Sequence, residues 1–297
     1  MEGTESRPPA VRIRPLSFDL QLPPLPSTVV EISELLAAGI QQVDLNRLTH
    51  IIERDVATSV ALLRRVNSAY YGLRVRVSDV GRAVRLLGII EVSNIVATIS
   101  VLKLRQFMRT EEQRQIYQNL LRYSLGAAFF AQLLADGLEL PVKALAFTGG
   151  LLHNVGRLVF LYNDPELYEA IWYGTSDGQP PSAEEERHLL GMDYVEVGAQ
   201  AVREWNFAEE LELLVRHQFS PESLPPLLRP VGCAIAVGMW VAYRLPHMPW
   251  LDWHELAGKR FFRQLAELAE VRPADLIGML QHNVPRAKEF VYTSIEG

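Results

Sequence analysis

Along almost the whole of this 297-residue chain the apolar side chains recur at three- and four-residue steps, and no stretch settles into a two-residue alternation. That spacing puts them on one face of an α-helix and offers no strand a buried face, so an all-α fold is expected. The segment QLPPLPSTVVEISELL opens with prolines that a helix interior rejects. It then supplies Ser27 or Thr28 as an N-cap, and Val29, Ile32, Leu35 and Leu36 as an apolar face before Gly39. A second helix is predicted from Asp44, with Leu45, Leu48, Ile51 and Ile52 as its stripe. A third follows the cap Asp55, with Val56, Val60, Leu63 and Val66 leading to Gly72. Ser78 is placed to cap a fourth, which carries Val80, Val84 and Leu87 up to Gly88, and helical texture continues from Ile90 to Met108.

A charged stretch, RQFMRTEEQRQ, separates this block from a second one, with the boundary near Arg109. The second block predicts helices over 120–134, 143–161, 164–173, 183–205 and 209–219, and further helices over 253–268 and 273–281 follow it. A chain of this length with 48% hydrophobic residues can bury more than one core. We therefore expect residues 1–17 as a flexible arm and 18–109 as an N-terminal helical subdomain. A second helical subdomain is expected over 110–246, with 247–297 as a C-terminal extension packed on it. The apolar residues of that tail, Phe261 to Val291, suit either an internal pack or a dimer contact, so the oligomeric state stays open.

Cys233 is the only cysteine, which rules out an intramolecular disulfide and a thiolate zinc cluster. The start, MEGTESRPPAVRIRP, is not built like a secretory signal, and the apolar run Val231–Tyr243 falls short of the ~20 residues a membrane span needs. A soluble, cytoplasmic protein is the expectation. A formal net charge of −6 gives no global attraction to nucleic acid.

Several phrases then fall in a telling order: LPPLP at 22–26, LLRRVNSAYYG at 62–72, AVRLLG at 83–88, YSLGAA from Tyr123, GGLLHNVGRLVF from Gly149, EEERHLLGMDYVEVGAQAVREW from Glu184 and VRHQFSP from Val215. In that order they resemble the HDOD family, over about Leu22 to Pro246. The resemblance implies an all-helical fold related to HD-domain metal phosphohydrolases, in a family associated with bacterial signalling and generally non-catalytic. Under it, residues 110–246 become a degenerate HD-like subdomain.

A working HD site gathers imidazoles and carboxylates around divalent metal, which lowers the pKa of a bound water and holds a phosphate in line. Aligned on the family's motifs, the doublet here is His153-Asn154, with a neutral amide in place of a carboxylate. An early histidine position is Tyr123, the position before Val195 is Tyr194, the later pair is His217-Gln218, and a late aspartate position falls at Met239. Only His153 and His217 keep ligand chemistry, so no metal, other cofactor or catalytic residue is expected. A buried histidine that hydrogen-bonds a neighbouring helix is the plainer reading of either.

The remnant bounded by Tyr123, His153, Asn154, Arg157, Tyr194, His217 and Gln218 is a candidate ligand pocket, since arginine and tyrosine suit a nucleotide-type ligand. Arg64, Arg65, Arg74, Arg76, Arg82 and Arg85 form a cationic cluster in an acidic chain and are the candidate partner surface, against the plainer reading of a solvated helix face. Asn67 reads as a structural asparagine tying helix ends. GTSDG at 174–178 formally matches a nucleophile elbow, but Gln179, Pro180 and Pro181 follow Ser176 and its neighbours too closely for a helix, so it reads as a turn. Trp205, Trp240, Trp250 and Trp253 read as packing residues.

The favoured reading is a non-catalytic regulatory module that binds a signalling protein partner or a small nucleotide-type ligand. The alternative is a metal-dependent phosphohydrolase acting on a nucleotide or cyclic dinucleotide. A nucleic-acid adaptor using the arginine cluster is disfavoured by the acidic net charge.

Overall fold

The computed structural model describes residues 20–24, 27–37, 43–67, 76–175, 179–245 and 251–296. Among these residues every regular element is helical. The N-terminal arm, Gly39, Tyr70, Tyr71, Gly72, Arg74, Ser176 and Trp250 lie outside them.

Four helices open the chain: α1 (Ser27–Ala37), α2 (Leu45–Glu53), α3 (Val56–Val66) and α4 (Val80–Lys103). Their apolar stripes enclose a small core around Val29, Ile32, Leu48, Ile52, Leu62, Val84 and Val92. Asp44 caps α2, its Oδ1 accepting from the Asn46 N–H at 2.8 Å. Asp79, rather than Ser78, caps α4, accepting from the Arg82 N–H. Gly88, at φ +76, breaks the regular geometry inside α4, where the sequence places a stop.

Asn67 joins helix ends as its residue type predicts. Its Nδ2 donates to the Leu63 and Val77 carbonyls, each at 2.7 Å, and its Oδ1 accepts from the Val77 N–H at 2.7 Å.

The chain continues through α5 (Glu111–Gly137), α6 (Ala146–Leu152), α7 (Val155–Asn163), α8 (Pro165–Thr175), α9 (Ala183–Leu190), α10 (Tyr194–Glu204), α11 (Glu209–Arg216) and α12 (Arg229–Ala242). The last three helices are α13 (Trp253–Gly258), α14 (Arg260–Leu268) and α15 (Pro273–Glu296). A second, larger core runs through α5 to α15 and takes in Ala97 and Val101 from the end of α4, so the two cores meet along that helix. Trp205 and Trp240 are buried in it, with Trp253 packed against it. Phe262, Leu265, Leu276, Leu280, Ala287 and Phe290 from the tail also belong to it, so the tail packs internally.

Several predicted spans change: the one expected over 120–134 extends to Glu111–Gly137, and the one over 253–268 divides into α13 and α14. The helix expected over 143–161 is a 3-10 turn, Lys143–Leu145, followed by α6 and α7 with a break at His153 and Asn154. The helix expected over 183–205 divides because Gly191, at φ +82, ends α9 and Asp193 caps α10 by accepting from the Val195 and Glu196 N–H groups. The helix expected over 273–281 instead runs to Glu296 through Pro285, because Ala287 and Phe290 keep it packed on the large core.

Two helical stretches, Val80–Phe107 and Lys143–Asn163, are apolar and long enough to cross a membrane by composition, longer than the Val231–Tyr243 run weighed from sequence. In the most apolar 18 residues of each, 89% are buried in Lys143–Asn163 and 44% in Val80–Phe107, whose α4 serves both cores.

Candidate functional site

The break at His153 and Asn154 is held on both sides by glycines that let helices meet backbone to backbone. A Cβ on Gly150 would lie 2.7 Å from the Ala128 Cα of α5, and one on Gly156 would run into the Tyr194 carbonyl oxygen of α10. The doublet is thereby fixed between α5 and α10, and both of its side chains are fully buried.

Asn154 does not cap α7 with its side chain. Its Oδ1 accepts instead from Arg157 Nη1 and from the Tyr243 hydroxyl, each at 2.8 Å. The same Nη1 donates to the Tyr243 oxygen at 2.9 Å, which closes a three-membered ring of hydrogen bonds. Arg157 is buried, and its Nε pairs with Glu186 Oε1 at 2.9 Å while Nη2 donates to the Pro181 carbonyl. The guanidinium lies 3.6 Å from the centroid of the Tyr194 ring. Tyr123 completes the cluster by stacking on Tyr243 with centroids 4.4 Å apart.

Glu186, on α9, is fully buried and saturated. Oε1 also accepts from the Tyr168 hydroxyl and Oε2 from the Tyr194 N–H, each at 2.9 Å. Burial raises its carboxyl above the ordinary carboxylate value, while Arg157 and these two donors draw it back down. Against a burial penalty that works to lower it, the tyrosine oxygens and Glu186 hold the Arg157 guanidinium well above its ordinary value.

His153 faces the same interior. Its Nδ1 lies 2.6 Å from the Gly150 carbonyl, which can only accept, so Nδ1 carries the proton and Nε2 is the bare nitrogen. Burial pushes the imidazole down to about 3; the Gly150 bond opposes that shift and the Arg157 charge adds to it. Nε2 finds no hydrogen-bond partner, nor does Asn154 Nδ2 or either amide atom of buried Gln218.

These donors do not fit a divalent metal centre. His153 Nε2 is chemically competent, but Asn154 Oδ1 is already taken by two donors, both Glu186 oxygens are occupied, and a full positive charge stands beside the doublet. Among the described residues no three histidine, cysteine, aspartate or glutamate side chains converge as a metal set.

The seven remnant residues therefore divide. Tyr123, His153, Asn154, Arg157 and Tyr194 are brought together, whereas half-buried His217 and buried Gln218 have no described hydrogen bond to them; the adjacent Phe219 meets the Tyr194 ring edge-on at 6.3 Å. The Arg157 side chain is buried among these residues, and Tyr123 lines a cavity of about 350 Å³ beside Arg122 and Lys288. Tyr243, Glu186 and Tyr168 are site residues that the sequence reading missed. Met239, aligned with the late aspartate position, is a core side chain, and Tyr243 one turn later is the residue that reaches the doublet.

The arginine cluster divides as well. Arg64 and Arg65, on α3, line a groove of about 680 Å³ between α3, α4, α6 and α15. Arg76, Arg82 and Arg85 are exposed and do not line it.

The model of the HDOD domain matches residues 22–221, more than half of the chain. A Treponema pallidum (strain Nichols) protein of uncharacterised function is 26% identical over 217 residues, which cover 72% of this chain and 41% of that one, so the chain spans about two fifths of its relative's length. Among solved structures, an HDOD domain protein of unknown function from Geobacter sulfurreducens superposes with a TM-score of 0.78 at 17% identity, covering 93% of this chain and 94% of that one. A Shewanella amazonensis SB2B protein provisionally named a phosphohydrolase gives 0.65 at 22% identity over 92% and 95% of the two chains. One from Marinobacter aquaeolei VT8, provisionally named a signal transduction protein, gives 0.64 at 21% over 93% and 59%. At these identities the structures share a fold, and the family match, set on the same helical architecture, shows that this chain belongs to the HDOD domain family.

Proposed function

We propose that this chain is a non-catalytic signalling or regulatory HDOD module that works by binding a protein partner or a small signalling ligand on a rigid helical scaffold. One observation carries the reading: a buried guanidinium, ion-paired to Glu186 and hydrogen-bonded to Asn154, stands beside the doublet where an HD enzyme would use metal. Arg157 is a permanent cation whose charge is compensated within the protein, so a divalent ion arriving there meets repulsion and no vacant carboxylate. Asn154 and Tyr194 support the reading because both now hold Arg157, one by hydrogen bond and one by its ring face. Tyr123 acts one step away through Tyr243.

The test is linkage between metal and folding. A resident metal stabilises the folded state in proportion to how far its concentration exceeds its dissociation constant. Thermal unfolding with excess Mn²⁺, excess Mg²⁺ and excess chelator is expected to superpose, with no hydrolysis of a cyclic dinucleotide in any of the three. A melting temperature that rises with Mn²⁺ and falls with chelator would overturn the reading.

A further inference from the structure

The groove between the two cores is the best-formed site outside the Arg157 cluster. Its floor is Ile95, Ile99 and Leu102 of α4, and its far wall is Phe147 of α6 and Phe290 of α15. Ile95 and Ile99 expose 8% of their surface each, Phe147 and Phe290 7% each, so these apolar walls are largely covered. Its lip is different: Val56 is 75% and Val60 43% exposed on α3, followed by Arg64 and Arg65. Arg65 lies over the Phe290 ring at 4.6 Å and meets Glu91 at 3.4 Å. The lining thus carries two guanidiniums, Arg64 and Arg65, and one carboxylate, Glu91.

From this we infer that the groove binds a small molecule with an apolar body, of alkyl-chain or fused-ring type, and a single anionic head group. A volume of about 680 Å³ with largely apolar walls, and with the charged lining residues Arg64, Arg65 and Glu91, suits such a ligand. A docked helix is disfavoured, because with side chains it measures about 10–12 Å across and needs a broad exposed floor. The head group would sit at Arg64 and Arg65, where charge is complementary, and the body would lie along Ile99 and Phe290. Ile99 belongs to the small core and Phe290 to the large one, so an occupant would bridge the two. This gives the regulatory reading a ligand class, yet it stands apart from the non-catalytic claim, which rests on Arg157.

The test uses 8-anilinonaphthalene-1-sulfonate as the fluorescent probe, displaced by decanoate, by decanol or by an acidic amphipathic helical peptide. A single saturable site is expected, from which decanoate displaces the probe at least about tenfold better than decanol. Val60→Glu, at an exposed lip position, and Arg64→Gln are each expected to weaken decanoate binding by about tenfold while the melting temperature stays at the wild-type value. Absence of saturable binding would overturn the proposal, as would decanoate binding indifferent to both variants, or displacement by the peptide alone. None of these outcomes bears on metal binding, so the failure of either reading is recognisable by itself.

Discussion

Arg157 Nη1 and Asn154 Oδ1 lie 2.8 Å apart in the interior of the HD-like core, so the second residue of the doublet serves a side-chain cation. The remaining contacts of the site follow from housing that charge: Glu186 neutralises it, Tyr194 lies under it, and Tyr243 bridges it to the doublet.

The first prediction concerns the ion pair. Glu186→Gln leaves a buried guanidinium without its counter-charge and is expected to lower unfolding stability by about 3–5 kcal/mol. The double variant Arg157→Met, Glu186→Leu removes both charges and is expected to recover most of that loss. Urea unfolding of the wild type and these two variants checks this; a double variant at least as unstable as Glu186→Gln would refute it.

Tyr243→Phe keeps the stack on Tyr123 but removes the donor to Asn154 and an acceptor for Arg157. A loss of about 1–3 kcal/mol is expected, measured in the same way.

His153 sets a pH dependence. Its folded value is about 3 against an ordinary 6.5, so below the ordinary value the unfolded chain takes up a proton that the folded chain refuses. Its contribution is fully present above that value and is lost as pH falls toward the folded one, at up to about 1.4 kcal/mol per pH unit. In His153→Leu, urea unfolding between the two values should show a slope shallower by one proton. Parallel curves for wild type and variant would contradict the assignment.

Gly156→Ala is expected to be among the most damaging small substitutions. Its Cβ meets the Tyr194 carbonyl and the Gly198 nitrogen, backbone atoms that cannot rotate away. A loss of about 3 kcal/mol or failure to accumulate folded protein is expected, whereas Gly174→Ala, with nothing near its Cβ, should be close to neutral.

Much of this was legible in the residues. The periodicity of Val29, Ile32, Leu48, Ile52 and Val84 placed most of the small core. On α3 it chose the wrong face: Val56 and Val60 of the expected stripe are exposed, while Leu62, which the stripe left out, is fully buried beside Val66. The gathering of Tyr123, His153, Asn154, Arg157 and Tyr194 was also legible, from the order of the motifs that carry them. What sequence did not reveal was Arg157 as the occupant: it reads as a pocket residue awaiting a ligand, on a helix expected to run unbroken over 143–161, and nothing in the spacing pairs it with Glu186. Glu186 was hidden in the run Glu184-Glu185-Glu186, where three acids suggest a solvated first turn. Its spacing to Leu190, one turn on, is the signal that it faces inward, and those two are the buried residues of α9. Tyr243 was missed by one turn in favour of Met239, since α12 is buried all round and its apolar pattern fixes no phase.

The central claim, that the doublet holds a guanidinium rather than metal, is tested most directly by plasma mass spectrometry of the protein before and after Mn²⁺ incubation, with a phosphodiester hydrolysis assay on both samples. The account predicts substoichiometric metal and no turnover in either. Stoichiometric, tightly held metal with turnover abolished by His153→Ala would contradict it.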